Sequence, residues 1–202
     1  EDYLSAFRTD GKQTDRPVEV MARVILLTGG NLGDVRATLA GARLKLAERV
    51  GAETAASSLW ESPPWGFEAP EQFLNQVLIF ETALEPEHVL DICQQIEREA
   101  GRIRPRAADG IATGTGCQAG AGCNKTAGAD HEAMGRQYGS RTLDIDILFY
   151  DDRVIDTPRL TVPHPLMQQR GFVLRPLCEV LPGFMHPVLH KSERQLLDEL
   201  SE

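Results

Sequence analysis

Residues 143–149 read LDIDILF, an alternation of apolar and acidic side chains that suits an extended strand with one buried face. Successive side chains of a strand point to opposite faces, so Leu143, Ile145, Ile147 and Phe149 share one face and Asp144 and Asp146 the other. Alpha carbons two residues apart in a strand are separated by about 6.5 Å. The two carboxylates therefore stand side by side and repel unless water screens them or a cation bridges them. The solvated outer face of an ordinary amphipathic strand meets the same pattern, so the choice falls to the rest of the chain.

The pattern of elements narrows it. ARVILLT (22–28) reads as a buried strand, GGNLGD as a turn, and Val35, Leu39, Ala42, Leu46 and Val50 as a helical stripe that Gly51 ends. ETAASSLWE (53–61) is a weaker strand, and after the rigid turn SPPWGF comes FLNQVLIFETAL (73–84), a strand apolar on both faces. PEHVLDICQQIEREAG opens with Pro86 and places Val89, Cys93, Ile96 and Ala100 at helical spacing. With 141–150 as the next strand, and residues 153–155 pairing with it after an Asp151–Asp152 turn, the order is βαββαβ plus a hairpin. We expect an α+β, ferredoxin-like fold: an antiparallel sheet with helices on one face, the other face available to ligands, and further C-terminal hairpin and helical segments.

A formal net charge of −9 and a pI near 5.1 disfavour nonspecific binding to nucleic acid or anionic membrane. No apolar run reaches the roughly 18 residues of a membrane span, and residues 1–20 lack the apolar centre of a signal peptide. Cys93, Cys117, Cys123 and Cys178 are too scattered for a disulfide framework, and Cys93 and Cys178 lie among apolar residues as buried thiols do. A cytoplasmic protein is expected. Residues 1–20 read equally as a vector-derived tail, an interdomain linker or a native extension, and 21–202 as one domain. That domain carries an insertion at about 107–137, where more than half of the residues from Ala107 to Ala129 are Gly or Ala, the composition of a mobile surface loop.

Several motifs fail on context. GTGCQA (114–119) mimics a dinucleotide fingerprint without a strand before it or a helix after it. Cys117, Cys123 and His131 lack a fourth zinc ligand and the usual spacing. TGGNLGD lacks the Lys-Ser/Thr pair of a P-loop and reads as a tight strand-to-helix turn. Gln94 and Glu97, three apart and off the apolar stripe, read as a solvated helix surface. Arg102, Arg104, Arg141, Arg159, Arg170 and His164, by contrast, flank the acidic pair in a chain that is acidic overall. Carboxylates that hold Mg2+ and arginines that neutralise phosphate oxygens are the apparatus of phosphoryl or nucleotidyl transfer, and two ions about 3.5–4 Å apart fit carboxylates at i and i+2. SPPW (62–65) and FLN (73–75) could line a flat slot in which Asn75 both donates to and accepts from a heterocycle edge, or could be core and turn.

The ordered set N-L-G-D, S-P-P-W-G, F-L-N, Q-x-x-E, G-R-x-R, R-T-L-D-I-D-I-L, R-L-T-V-P-H-P and R-G-F, from about Arg23 to Glu202, resembles the 6-hydroxymethyl-7,8-dihydropterin pyrophosphokinases of folate biosynthesis. The resemblance implies transfer of the β,γ-diphosphate of ATP to a pterin hydroxymethyl oxygen, with AMP released and two Mg2+ held by Asp144 and Asp146. It implies catalytic roles for Arg102, Arg141, Asp144 and Asp146. Gln94, Glu97, Arg104, Arg141, Ile147, Arg159, Thr161 and His164 would surround ATP. Ser62, Pro63, Trp65, Phe73, Asn75, Tyr138, Arg170 and Phe172 would bind the pterin, with Phe73 and Phe172 sandwiching the ring. Gly30, Tyr138 and Pro165 stand where Ser, Trp and Tyr are usual. The family joins G-R-x-R to R-T-L-D by a short loop that closes over the substrates. Closure entropy grows only logarithmically with length, so the longer segment here is expected to loosen closure rather than abolish it. The partners implied are the pterin and ATP, with no nucleic acid and no membrane. A monomer and a chain fused to or associated with another folate-pathway domain fit equally well. Two alternatives stand beside this reading: a Mg2+-dependent nucleotidyltransferase with another acceptor, and a noncatalytic ferredoxin-like binding module.

Overall fold

The computed structural model describes residues 21–102 and 139–200. The insertion with Cys117, Cys123 and His131, together with Arg104, Tyr138 and residues 1–20, lies outside the described residues.

Strand β1 (Ala22–Gly30), helix α1 (Val35–Arg49), β2 (Ala52–Ala56), β3 (Trp60–Ser62), β4 (Phe73–Thr82), α2 (Pro86–Glu99) and β5 (Asp144–Tyr150) follow in that order. The sheet runs β2-β4-β1-β5 with every neighbouring pair antiparallel, and β3 also pairs with β4. This is the ferredoxin-like order expected from βαββαβ. The segment expected as one strand over 53–61 is two. Ser57 donates its N–H to the Val77 carbonyl at 2.9 Å, but its hydroxyl rather than its carbonyl accepts from Val77 N at 3.0 Å. The freed Ser57 carbonyl takes Gln76 Nε2 at 2.8 Å, and this side-chain substitution in the ladder bends the chain between β2 and β3.

One core lies between the sheet and α1–α2, where Leu39, Leu46, Val89, Cys93 and Ile96 meet Val24, Leu26, Leu78 and Phe80. A second lies on the opposite face. There α3 (Gly171–Val180) and α4 (Glu193–Leu200) bring Val173, Leu174, Leu177 and Leu196 against Ile25, Leu27, Val77 and Ile79. The face expected to stay available is thus largely covered, because β1 and β4 are apolar on both sides and each side needs cover. Beyond those packed side chains, Asp144, Gly29, Asn75 and Trp60 line up across β5, β1, β4 and β3 at one end of the sheet.

Two further expectations are corrected along β5. Its register against β1 slips between Ile25 and Leu26, which leaves Leu148 as the extra residue of a bulge. Leu143, Ile145 and Ile147 lie in the first core as the alternation predicts, but past the bulge Phe149 falls in the second. Nor do residues 153–155 pair with β5. Asp151, at φ 48°, donates its N–H back to the Arg23 carbonyl at 2.7 Å, and the chain turns away. β6 (Ile155–Asp156) then pairs with β7 (Thr161–Val162). Cys93 and Cys178 are buried free thiols, as expected. Among the described residues no helix is long and apolar enough to cross a membrane.

Glu193, at the start of α4, is fully buried, and neither of its carboxyl oxygens has a partner among the described residues. Burial pushes its carboxyl up from 4.5 to about 7. The folded state therefore holds this proton more tightly than the unfolded state, so the fold is favoured most below about pH 4.5 and loses that advantage as pH rises through 7. Glu193→Gln is expected to stabilise the fold by about 1–3 kcal/mol at high pH and by little in acid. Urea denaturation on either side of the window measures the difference.

Candidate active site

β5 is the edge strand of the sheet, so its outward N–H groups must find partners other than a neighbouring strand. Ile145 N donates to Glu97 Oε1 at 2.9 Å. Glu97 is 1% exposed, so it is not the solvated surface residue expected from its position on α2. Its helix face lies against the edge of β5, a contact that an apolar stripe does not report. Gln94, one turn earlier, remains half-buried.

Arg102 Nη1 donates to both Glu97 and Asp144, and Arg141 Nη1 donates to the other oxygen of Asp144. Arg141 is held by the turn after β1. Its N–H donates to Asn31 Oδ1 at 2.8 Å, its carbonyl accepts from Asn31 N at 3.0 Å, and Asn31 Nδ2 donates to Ser140 Oγ at 2.9 Å. Gly33, at φ 73°, and Asp34, which caps α1 by accepting from Ala37 N at 3.1 Å, shape that turn. Asn31 thus positions a candidate catalytic arginine, a role that reading N-L-G-D as a tight turn missed. The signal was present, since an amide in a turn can accept from one group and donate to another at once. Gly30 packs as closely: a Cβ there would lie 2.4 Å from the Thr142 carbonyl oxygen, so the Ser usual at this position would displace the backbone next to Arg141.

Asp146 shares the face of Asp144, as the alternation predicts, and its Oδ2 lies 3.9 Å from His164 Nε2. The β5 bulge helps to place that histidine, because the Leu148 carbonyl accepts His164 N at 3.0 Å. The two carboxylates part electrostatically. Burial works against charge on Asp144, but Arg141 and Arg102 outweigh it and hold its carboxyl below the usual range. Burial, reinforced by Asp144 and Glu97, pushes the Asp146 carboxyl up, with Arg102 and Arg170 offsetting only part of the effect. Negative charge is thus in local excess at Asp146, and the donors on offer are carboxylate oxygens, which suit a hard divalent cation such as Mg2+.

Beside the carboxylates, β3 and β4 form a second wall. Ser62 stands opposite Phe73 and Trp60 opposite Asn75, and Asn75 Nδ2 donates to Ser62 Oγ at 2.9 Å. Gly29 makes room, since a Cβ there would lie 2.7 Å from Asn75 Oδ1. The Arg141 guanidinium lies 5.7 Å from the Phe73 ring centre, which joins this wall to the carboxylates. The buried Arg170 guanidinium lies 4.4 Å from the Trp65 ring centre and 5.9 Å from that of Phe172. Pro63 is exposed beside Ser62. Three expected ATP contacts stay apart from this cluster. The Ile147 side chain is buried in the first core, so only its main chain on the free edge of β5 can meet a ligand. Arg159 pairs with Glu87 at 3.1 Å and with Asp91 on the first turns of α2, and Thr161 is exposed on β7 opposite Asp156.

A ferredoxin-like sheet that carries two neighbouring carboxylates, one of them bonded by two arginines, next to an aromatic and amide-lined wall, has the apparatus of an enzyme that moves phosphoryl groups onto a small planar acceptor. Residues 25–111 and 121–182 match the model of the 7,8-dihydro-6-hydroxymethylpterin-pyrophosphokinase family, and the chain belongs to that family. The match breaks only within the Gly/Ala-rich stretch. The chain is 37% identical over 168 residues to a 2-amino-4-hydroxy-6-hydroxymethyldihydropteridine pyrophosphokinase of Porphyromonas gingivalis, covering 83% of this chain and 95% of that one. It is 34% identical over 179 residues to the protein of the same name from Aquifex aeolicus, covering 89% and 92%. Among solved structures, a Plasmodium falciparum HPPK-DHPS protein crystallised with pteroate superposes with a TM-score of 0.62 at 14% identity, over 89% of this chain. This chain spans 42% of that longer protein, and the likeness concerns the fold.

Proposed function

We propose that the chain transfers the β,γ-diphosphate of ATP to the hydroxymethyl oxygen of 6-hydroxymethyl-7,8-dihydropterin, releasing AMP, as a step of folate biosynthesis. What supports this beyond kinship is Arg141, which bonds Asp144 on one side and lies over Phe73 on the other, so that phosphate chemistry and a slot for a planar ring share one side chain.

In this reading Asp144 and Asp146 would hold two Mg2+, and ions held there would supply charge neutralisation for the phosphate oxygens. Arg102 and Arg141 turn from their carboxylate partners towards the transferred diphosphate, where their charge counts most as the leaving AMP gains negative charge. Asn75, held by Ser62, reads the edge of the pterin between Phe73 and Phe172, with Pro63, Trp65, Tyr138 and Arg170 around the ring. ATP is bound by Gln94, Arg104, Arg159, Thr161, His164 and the main chain of Ile147. Glu97 acts on ATP through Arg102 and the edge of β5. The acceptor hydroxyl needs placement more than a strong base, and alignment of two bound substrates supplies most of the barrier reduction. A cytoplasmic setting fits the buried free thiols of Cys93 and Cys178.

Incubation with ATP, Mg2+ and the pterin tests the reading. AMP and pterin diphosphate are expected to form one to one. Pyrophosphate release would point to the nucleotidyltransferase alternative, and failure to consume ATP would point to a binding module.

A further inference from the structure

On the far side of the pterin wall from the carboxylates, Glu179 in the last turn of α3 accepts three hydrogen bonds from the chain that enters β3. Its Oε1 takes Ser58 N at 2.8 Å and Ser58 Oγ at 2.7 Å, and its Oε2 takes Trp60 Nε1 at 2.7 Å. These bonds, that to Trp60 first, hold the Glu179 carboxyl below the usual range, so it is fully charged and a strong acceptor. β3 is three residues long, follows the Ser57 bend, and among the described residues has one strand partner, the first residues of β4. Beyond that pairing, α3 holds β3 and the residues before it through Glu179.

We propose that Glu179 is a positioning residue for the acceptor slot: through Ser58 and Trp60 it locks β3 to α3 and so fixes the gap that receives the planar ring. The argument is geometric. Trp60 is the cross-strand neighbour of Asn75, and Ser62, two residues on, bonds Asn75 and faces Phe73. α3 begins at Gly171, so Phe172 and Glu179 are seven residues apart and share one helix face, about 10 Å along its axis. One rigid element thus carries an aromatic on one side of the proposed slot and clamps β3, the strand paired with the Phe73 and Asn75 of the other side. Glu179 is itself exposed and does not touch the carboxylate cluster, so its loss changes the slot and not the phosphate machinery. A single carboxylate is needed because two oxygens must both accept. In Gln the nitrogen can only donate, so either the Ser58 pair or the Trp60 bond is lost.

This inference rests on the proposed reaction, and the wild-type assay tests that reaction separately. Given pterin-dependent AMP formation by the wild type, Glu179→Ala is expected to raise the pterin KM about tenfold, with the ATP KM unchanged within about twofold and kcat lowered less than the pterin KM is raised. Trp60→Phe, which keeps the ring and removes the donor, is expected to raise the pterin KM by several-fold. In the double variant the effect of Glu179→Ala is expected to shrink, as coupled partners require. Glu179→Gln should fall between wild type and Ala. An unchanged pterin KM in both single variants would overturn the proposal. So would equal rises in both KM values, or fully additive effects in the double variant, each of which marks general loosening of the fold. Wild-type protein that makes no AMP would instead sink the reaction itself.

Discussion

Asp146→Asn is expected to cut turnover roughly a thousandfold while leaving the folded protein at least as stable as the wild type, because the same charge that serves a bound cation burdens the free protein. Asn keeps the shape of the side chain and loses its charge. A cation site that supplies several kcal/mol of charge neutralisation to the phosphoryl group loses much of that on becoming neutral, and each 1.4 kcal/mol or so is a factor of ten in rate. In the cation-free fold the balance reverses. Asp146 faces Asp144 and Glu97, two further carboxylates, and its own contact is His164 at 3.9 Å, whereas Asp144 is bonded by two arginines. Removing one of three clustered negative charges relieves repulsion in a partly buried place. Thermal unfolding without metal, set beside AMP formation across a Mg2+ titration, separates the two effects. The Mg2+ needed for half-maximal activity should rise by at least an order of magnitude. Turnover within tenfold of wild type at saturating Mg2+ would rule out this acidic pair as the metal site.

The acidic pair is legible in the amino-acid sequence because its alternation has so few structural solutions. A period of two puts Asp144 and Asp146 on one face and Leu143, Ile145 and Ile147 on the other, and the fold keeps that arrangement. It fails at Phe149, because a bulge adds one residue to the count and no composition cue marks Leu148 as the extra one. The expectation of an open sheet face fails for a related reason. Ile25, Leu27, Val77 and Ile79 announce a second apolar face, but the helices that cover it come from residues 171–200, far along the chain. Asn31, Glu97 and Glu179 share one blind spot. Each is a polar side chain paired to main chain that lies 48 to 121 residues away in sequence, and local periodicity carries no information about such partners. The family resemblance names Glu97 for ATP, yet what it holds in this fold is a strand edge and an arginine. Phe73, Asn75 and Ser62 are ambiguous as residues of turns and cores, and pairing across β3 and β4 is what sets them side by side.

Glu97→Ala is expected to damage stability and catalysis together, which distinguishes it from Asp146→Asn. The carboxylate is buried at 1% exposure and accepts both Ile145 N and Arg102 Nη1. Alanine strips a buried edge N–H of its acceptor, at a cost of about 1–3 kcal/mol. It also breaks a largely buried ion pair, where losing one partner typically costs about 3–5 kcal/mol. The two losses overlap on one side chain, and Asp144 still holds Arg102, so a net loss of about 3 kcal/mol is the expected scale, or a fall of roughly 6–12 °C in Tm for a domain of this size. Turnover should fall by about a hundredfold, since Arg102 then rests on Asp144 alone and competes with the cations for it. Glu97→Gln sorts the two roles. Its carbonyl can still accept Ile145 N, so most of the stability should return, while the neutral amide no longer holds the arginine by charge, so turnover should remain depressed. Recovery of both in Gln would mean that Glu97 serves the strand edge alone; recovery of neither would mean that the charge on Glu97, and not its hydrogen bond to β5, keeps this end of the sheet folded.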